Sequence, residues 1–172
     1  RRNGPIFGLD EDLNVSNIDP VFEIYNKKFW GKLENKSIAL SASQKLRDFF
    51  DNKIKAEEAL DLEKWASFFA IIDLTGTKHG ALLKSVKFYY NPINGLFEPV
   101  PFDGHRFKPN FYKFNQRYEN KLLIDFLFNT SKKEEEEGLG WLRKIFFDGK
   151  KLNQDFYNVY IEKLSEISSK KF

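Results

Sequence analysis

Nineteen phenylalanines, seven tyrosines and three tryptophans in 172 residues are the tightest constraint on this chain, because they must be given a large interior. Burying such rings removes much apolar area from water, so a chain this rich in them is not a disordered one. The length suffices for one domain with a real core. The spacing of the rings shows where part of that core forms. Trp65, Phe68, Phe69 and Ile72 fall at i, i+3, i+4 and i+7, and Leu62 and Ala66 widen the same stripe. Asp61 stands where an N-cap belongs and Gly76 where a helix stops. The pattern predicts a buried helix over about 62–74.

Weaker signals place the other elements. Residues 1–20 are rich in Asn, Asp, Gly and Pro and read as loop. Val21 to Tyr25 alternates as a short strand does, and 31–36 looks like a turn. Ser41 and Gln44 have the form of a capping box, which predicts a helix over about 42–55 with Leu46, Phe49, Phe50 and Ile54 on one face. Lys84–Tyr90 and Leu96–Pro101 are strand-like, and Asn91-Pro-Ile-Asn-Gly95 between them is turn chemistry. They form a predicted β-hairpin, with Pro99 and Pro101 holding its second strand to an edge. Further helices are expected over 122–128, 140–147 and from Asn153 onward, where Phe156, Tyr160, Leu164 and Ile167 repeat at helical spacing. The run Lys132 to Glu137 reads as exposed. The expected class is α+β, mostly helical, with a central hairpin.

Composition limits the chemistry. No Cys is present, which excludes disulfides, thiolate catalysis and Cys-based metal sites. Net charge is only +3 and the lysines are interspersed with acids, so no nucleic-acid partner is expected. No run of 18 apolar residues occurs, so no membrane span is expected. The chain opens Arg1-Arg2 and holds no Met, so an upstream segment is expected.

The two histidines, His79 and His105, lie close in sequence to Asp73, Asp103 and the hairpin. Phosphoryl transfer needs a polar residue to orient or deprotonate the acceptor, and oxygen ligands to hold Mg²⁺ against the phosphates. Kinase-like folds put these groups on a loop before a hairpin and on an Asp just after it. A hairpin brings its two ends together, so His79 before it and Asp103 after it are predicted to share one polar pocket.

The segment Asp61-Leu-Glu-Lys-Trp-Ala-Ser-Phe-Phe-Ala70, with Asp73-Leu-Thr-Gly-Thr-Lys-His79, resembles the helix and loop of CotH-like proteins, a divergent branch of the kinase-like fold. Lys87-Phe-Tyr-Tyr-Asn-Pro92 and Gly95-Leu-Phe-Glu-Pro-Val-Pro-Phe-Asp103 are similar to that family's hairpin, and Phe156 to Ser168 resembles its closing helix. The resemblance covers about 38–168 and is strongest over 61–105. It implies a kinase-like C-terminal lobe over 38–172, preceded by a linker and short strand over 1–37. It implies ATP and Mg²⁺ as cofactors, protein hydroxyls as acceptors with spore-coat proteins the known class, and a nucleotide-binding N-terminal lobe upstream.

Carried over position by position, the family's metal-binding Asn falls on Ser85, its metal-binding Asp on Asp103, and its loop acid near His79 or Gly80. A second acid falls on His105. His79 would then orient or deprotonate the acceptor, while Asp103, helped by Ser85, would hold Mg²⁺ and the nucleotide. Ser is a poorer Mg²⁺ ligand than Asn, and His lacks the charge of an aspartate. The rival implication is a catalytically degenerate, pseudokinase-like member that serves as a binding or structural module, coat- or surface-associated.

Plainer readings stand beside these. His79 reads equally as a loop histidine bonded to a backbone carbonyl, Asp103 as a turn residue, and Ser85 as facing solvent or capping a strand. His105 reads as structural. Asp73 ends a helix, where a carboxylate opposes the dipole, and so marks either a site or a salt bridge to Lys78.

Overall fold

The computed structural model describes residues 4–10, 20–104, 122–129 and 138–169. Its class is α+β and mostly helical. The elements in order are β1 (Ile6–Leu9), β2 (Phe22–Ile24), α1 (Lys27–Trp30), α2 (Leu33–Phe50), α3 (Ala56–Ala59), α4 (Leu62–Thr75), a 3-10 turn (Lys78–Ala81), β3 (Lys87–Asn91) and β4 (Leu96–Val100). They are followed by α5 (Leu123–Asn129), a second 3-10 turn (Gly140–Leu142), α6 (Arg143–Phe146), the short strands β5 (Phe147–Asp148) and β6 (Lys151–Leu152), and α7 (Gln154–Ser169).

The predicted hairpin is present as β3 and β4, but it belongs to a four-stranded antiparallel sheet of order β2-β1-β3-β4. Strand β1 falls in the stretch expected to be loop. Its four residues, Ile-Phe-Gly-Leu, are hidden among Gly, Pro and Asn, and pairing on both sides supplies what local propensity lacks. Register assigns the faces. Phe7 opposes both Ile24 and Phe88, and Phe97 opposes Tyr90, so these rings share the face turned to the helices. Gly8, Lys87, Tyr89 and Glu98 occupy the other face.

Helix α4 matches its prediction closely. Asp61 accepts from the Lys64 backbone N–H, and Gly76 closes the helix at φ 69°. Trp65 is fully buried, with the rings of Phe68, Phe69, Phe88 and Trp141 centred 5.2–5.8 Å away. Its indole N–H donates to the Phe97 carbonyl at 2.9 Å, and the Asp61 N–H donates to the same oxygen at 3.0 Å. One carbonyl of the edge strand therefore pins the start of α4. Tyr90 is only half-buried, at the margin of the core. Helix α7 lies along α4 and buries Phe156 and Tyr160. Asn153 caps it by accepting from the Phe156 N–H at 3.1 Å.

Helix α2 departs from expectation. It runs from Leu33 to Phe50, so Ser41 is an interior residue and the Ser41–Gln44 pair caps nothing. Gln44 reaches forward to Asp48 instead, at 2.9 Å. The buried face Ala39, Ala42, Leu46, Phe49, Phe50 holds the helix to the core on both sides of Ser41 and outweighs a local cap, while the first turns from Leu33, within the stretch expected to be a turn, extend it with their side chains largely exposed. The hairpin of β5 and β6, turning at Gly149 with φ 62°, lies where one short helix was expected to end. The charge run at 132–137 lies outside the described residues.

Trp65→Phe removes both the indole bond to Phe97 and part of the core volume. Urea unfolding should show a loss of about 2–4 kcal/mol. An unchanged midpoint would contradict the pinning role.

Candidate functional site

Gly76 ends α4 and releases the chain into the 3-10 turn that carries His79. The segment after it doubles back through Ser85, whose N–H donates to the Leu82 carbonyl at 2.8 Å. The hairpin then returns the chain to Asp103. Three of the residues singled out in the sequence, His79, Ser85 and Asp103, meet here. His79 Nδ1 lies 2.9 Å from the Asp103 carbonyl oxygen, 3.1 Å from Ser85 Oγ and 3.4 Å from Asp103 Oδ2. His105 lies outside the described residues.

The backbone is shaped to allow this meeting. Asp103 has φ 52°, in the left-handed region that non-glycine residues seldom enter. A Cβ on Gly80 would come within 3.3 Å of the Gly104 Cα, so the 3-10 turn and the exit of β4 approach almost backbone to backbone. Burial then divides the roles. His79 is 8% exposed and Ser85 1%, while the Asp103 side chain is 48% exposed. The expectation that Ser85 faces solvent is therefore corrected: the turn at Leu82 folds it under the histidine ring.

Hydrogen-bond chemistry fixes the tautomer. A carbonyl can only accept, so Nδ1 carries a proton and donates it to Asp103 O. Ser85 Oγ is a second acceptor for the same hydrogen. The lone pair of the neutral ring is then on Nε2. Ser, His and Asp together suggest a nucleophilic relay, but a relay needs the hydroxyl on one ring nitrogen and the carboxylate on the other. Here both fall on Nδ1 and the hydroxyl is inside the protein, so the arrangement is not one.

Magnesium takes an octahedron of oxygens, usually with one or two carboxylates and the substrate phosphates. The cluster offers one carboxylate, Asp103, and a serine hydroxyl turned toward the imidazole. Among the described residues no group of three or more His, Asp or Glu is placed to hold a metal ion. What the geometry does provide is a link between the loop after α4 and the exit of β4.

Asp73 has a different role from either one foreseen. Its carboxylate accepts the Tyr160 hydroxyl from α7 and the Leu123 N–H at 3.0 and 3.1 Å. It therefore sits at the unfavourable end of its own helix and the favourable end of α5. Burial pushes its pKa up to about 6, against the hydrogen bonds from Tyr160 and Leu123 and the charge of Lys78; Asp125 adds a smaller upward push. Burial together with Asp73 also pushes the Tyr160 phenol upward, and burial lowers Lys78. In the sequence Tyr160 reads as part of an apolar face. A buried tyrosine needs a partner for its hydroxyl, and that was the available signal.

No family model, no curated protein and no solved structure matches this chain. Among the described residues no helix is long and apolar enough to cross a membrane.

Asp73 gives a pH dependence with a definite sign. Its folded pKa, about 6, lies above the ordinary value of 3.8, so the native state takes up this proton first as pH falls. This group's contribution to stability should rise from pH 7 to pH 4 and then level off, by about 2–3 kcal/mol at most. Asp73→Asn should flatten that part of the curve in denaturant titrations. A mutant curve parallel to the wild type would refute the assignment.

Proposed function

We propose that this chain is a divergent CotH-like, kinase-fold protein whose catalytic loop has become a structural latch, leaving a non-catalytic module that binds or organises a protein partner. One observation carries the reading. Among the described residues, the imidazole nitrogen that meets Asp103 and Ser85, Nδ1 of His79, is committed to a backbone carbonyl. That bond ties the loop after α4 to the exit of β4 and holds the Ser85 hydroxyl against the ring, so the atoms the resemblance assigns to metal and acceptor are turned to one another. The departures from the family pattern point the same way, since Ser85 replaces an amide ligand and is withdrawn from solvent.

A second reading, an active Mg-ATP-dependent phosphotransferase acting on protein hydroxyls, has one feature in its favour. The Asp103 carboxylate is half exposed beside His79, at the position where the resemblance expects a metal ligand.

Thermal-shift titration with Mg-ATP separates the two. The module reading expects a melting change within about 1 °C at millimolar nucleotide, unaltered in Asp103→Ala. A shift of several degrees that disappears in Asp103→Ala would overturn it in favour of the phosphotransferase. Ser85→Asn adds a second readout. Nucleotide binding recovered by that change would identify an eroded catalytic site instead of a latch.

A further inference from the structure

Three polar side chains lie buried on the sheet face turned away from the helices: Lys87, Tyr89 and Glu98. Glu98 is answered by Lys64 Nζ at 2.8 Å and by the Asn91 amide at 2.7 Å. Lys87 is not answered in this way. Its ammonium has three donors and makes one hydrogen bond, to the Lys84 carbonyl at 2.9 Å. Its other neighbours are the rings of Phe102 and Tyr25, with centroids 5.0 and 5.7 Å from Nζ. Among the described residues no carboxylate lies within ion-pair distance of it. Nearby Glu23 is paired with Lys27 at 2.9 Å.

The surroundings are built around this side chain. Gly8, in the inner strand β1, has no Cβ where one would come within 2.9 Å of both Lys87 Cδ and the Tyr25 ring. A glycine in an inner strand weakens it and marks a close approach, here of the Lys87 stem. Two residues along the same face, the Tyr89 hydroxyl is buried and has no hydrogen-bond partner among the described residues. A lysine 6% exposed and without a carboxylate at ion-pair distance among the described residues is costly to fold, and two aromatic faces offset only part of that cost. Yet both rings reach solvent, Tyr25 at 41% and Phe102 at 57% exposed. They flank the ammonium and border the outside.

We propose that Lys87, flanked by Tyr25 and Phe102, is a recognition site for an oxyanion, phosphate or carboxylate, carried on a flat aromatic ligand. The two unspent N–H donors of Lys87 meet the oxygens, and the two rings cover the flat part. The Tyr25 ring also carries a hydroxyl donor, and Tyr89 lies two residues from Lys87 on the same face. The site adjoins the His79 latch through Phe102 and Asp103 but uses other side chains, and it does not depend on whether the chain transfers phosphate.

Calorimetric titration tests this with phenyl phosphate, benzoate, inorganic phosphate and benzyl alcohol. Saturable one-to-one binding of phenyl phosphate or benzoate is expected, weaker with inorganic phosphate, absent with benzyl alcohol, and reduced by added salt. Lys87→Met keeps the stem and should weaken binding by about tenfold or more. Phe102→Ala, at an exposed ring, should weaken it several-fold with little change in melting temperature. No saturable binding of either aromatic anion would overturn the proposal, as would equal affinity in Lys87→Met. If Lys87→Met does not fold, Phe102→Ala decides alone, and unchanged affinity there is a refutation.

Discussion

The Phe97 carbonyl is the point on which this fold turns. It accepts the Trp65 indole N–H and the Asp61 backbone N–H, so one oxygen of the edge strand fixes both the start of α4 and the ring at the centre of the aromatic core. Neutral hydrogen bonds contribute only about 1 kcal/mol each, but leaving either donor buried and unpaired would cost more. Their larger effect is to set position. With α4 pinned at its first turn, its far end delivers Gly76 and His79 to the place where the hairpin brings back Asp103. The loop cluster is thus a consequence of where the helix begins.

That cluster illustrates how the same residue types serve different ends. Histidine, serine and aspartate are the stock of catalytic sites, and the hairpin does bring them within hydrogen-bond reach. Which atoms meet is what matters. Both partners arrive at one nitrogen of His79, and the closest of them is a main-chain oxygen. The left-handed Asp103 and the tight passage of Gly80 against Gly104 hold the backbone in a costly conformation there. Such strain often marks function, and under the proposed reading the latch is what retains it.

Much of the architecture was legible in the sequence. Trp65, Phe68, Phe69 and Ile72 recur at a spacing only a helix explains, and Asp61 and Gly76 bound it. Asn91 to Gly95 named the hairpin, and the hairpin named the meeting of His79 with Asp103. Other features were not legible because their causes are remote. Strand β1 is four residues that no local preference supports, held by partners far along the chain. Ser41 and Gln44 advertise a cap that the buried stripe of α2 overrides. Asp73 looked misplaced at a helix end because α5 and α7, which give it donors, are some 50 and 87 residues away in sequence. Spacing could predict that Ser85 lies near His79, but not that it lies beneath it.

Pro99, the one proline of β4, acquires a meaning from the same carbonyl. Phe97 turns its backbone polar groups outward, and Pro99, two residues on, must turn the same way. At that outward side Phe97 already has two donors on its oxygen, and Pro99 has no N–H to offer. The opposite border of the sheet, β2, is only three residues long. Neither margin can readily template an incoming strand, so intermolecular β-addition and amyloid-like stacking are disfavoured in a chain whose aromatic content would otherwise invite them.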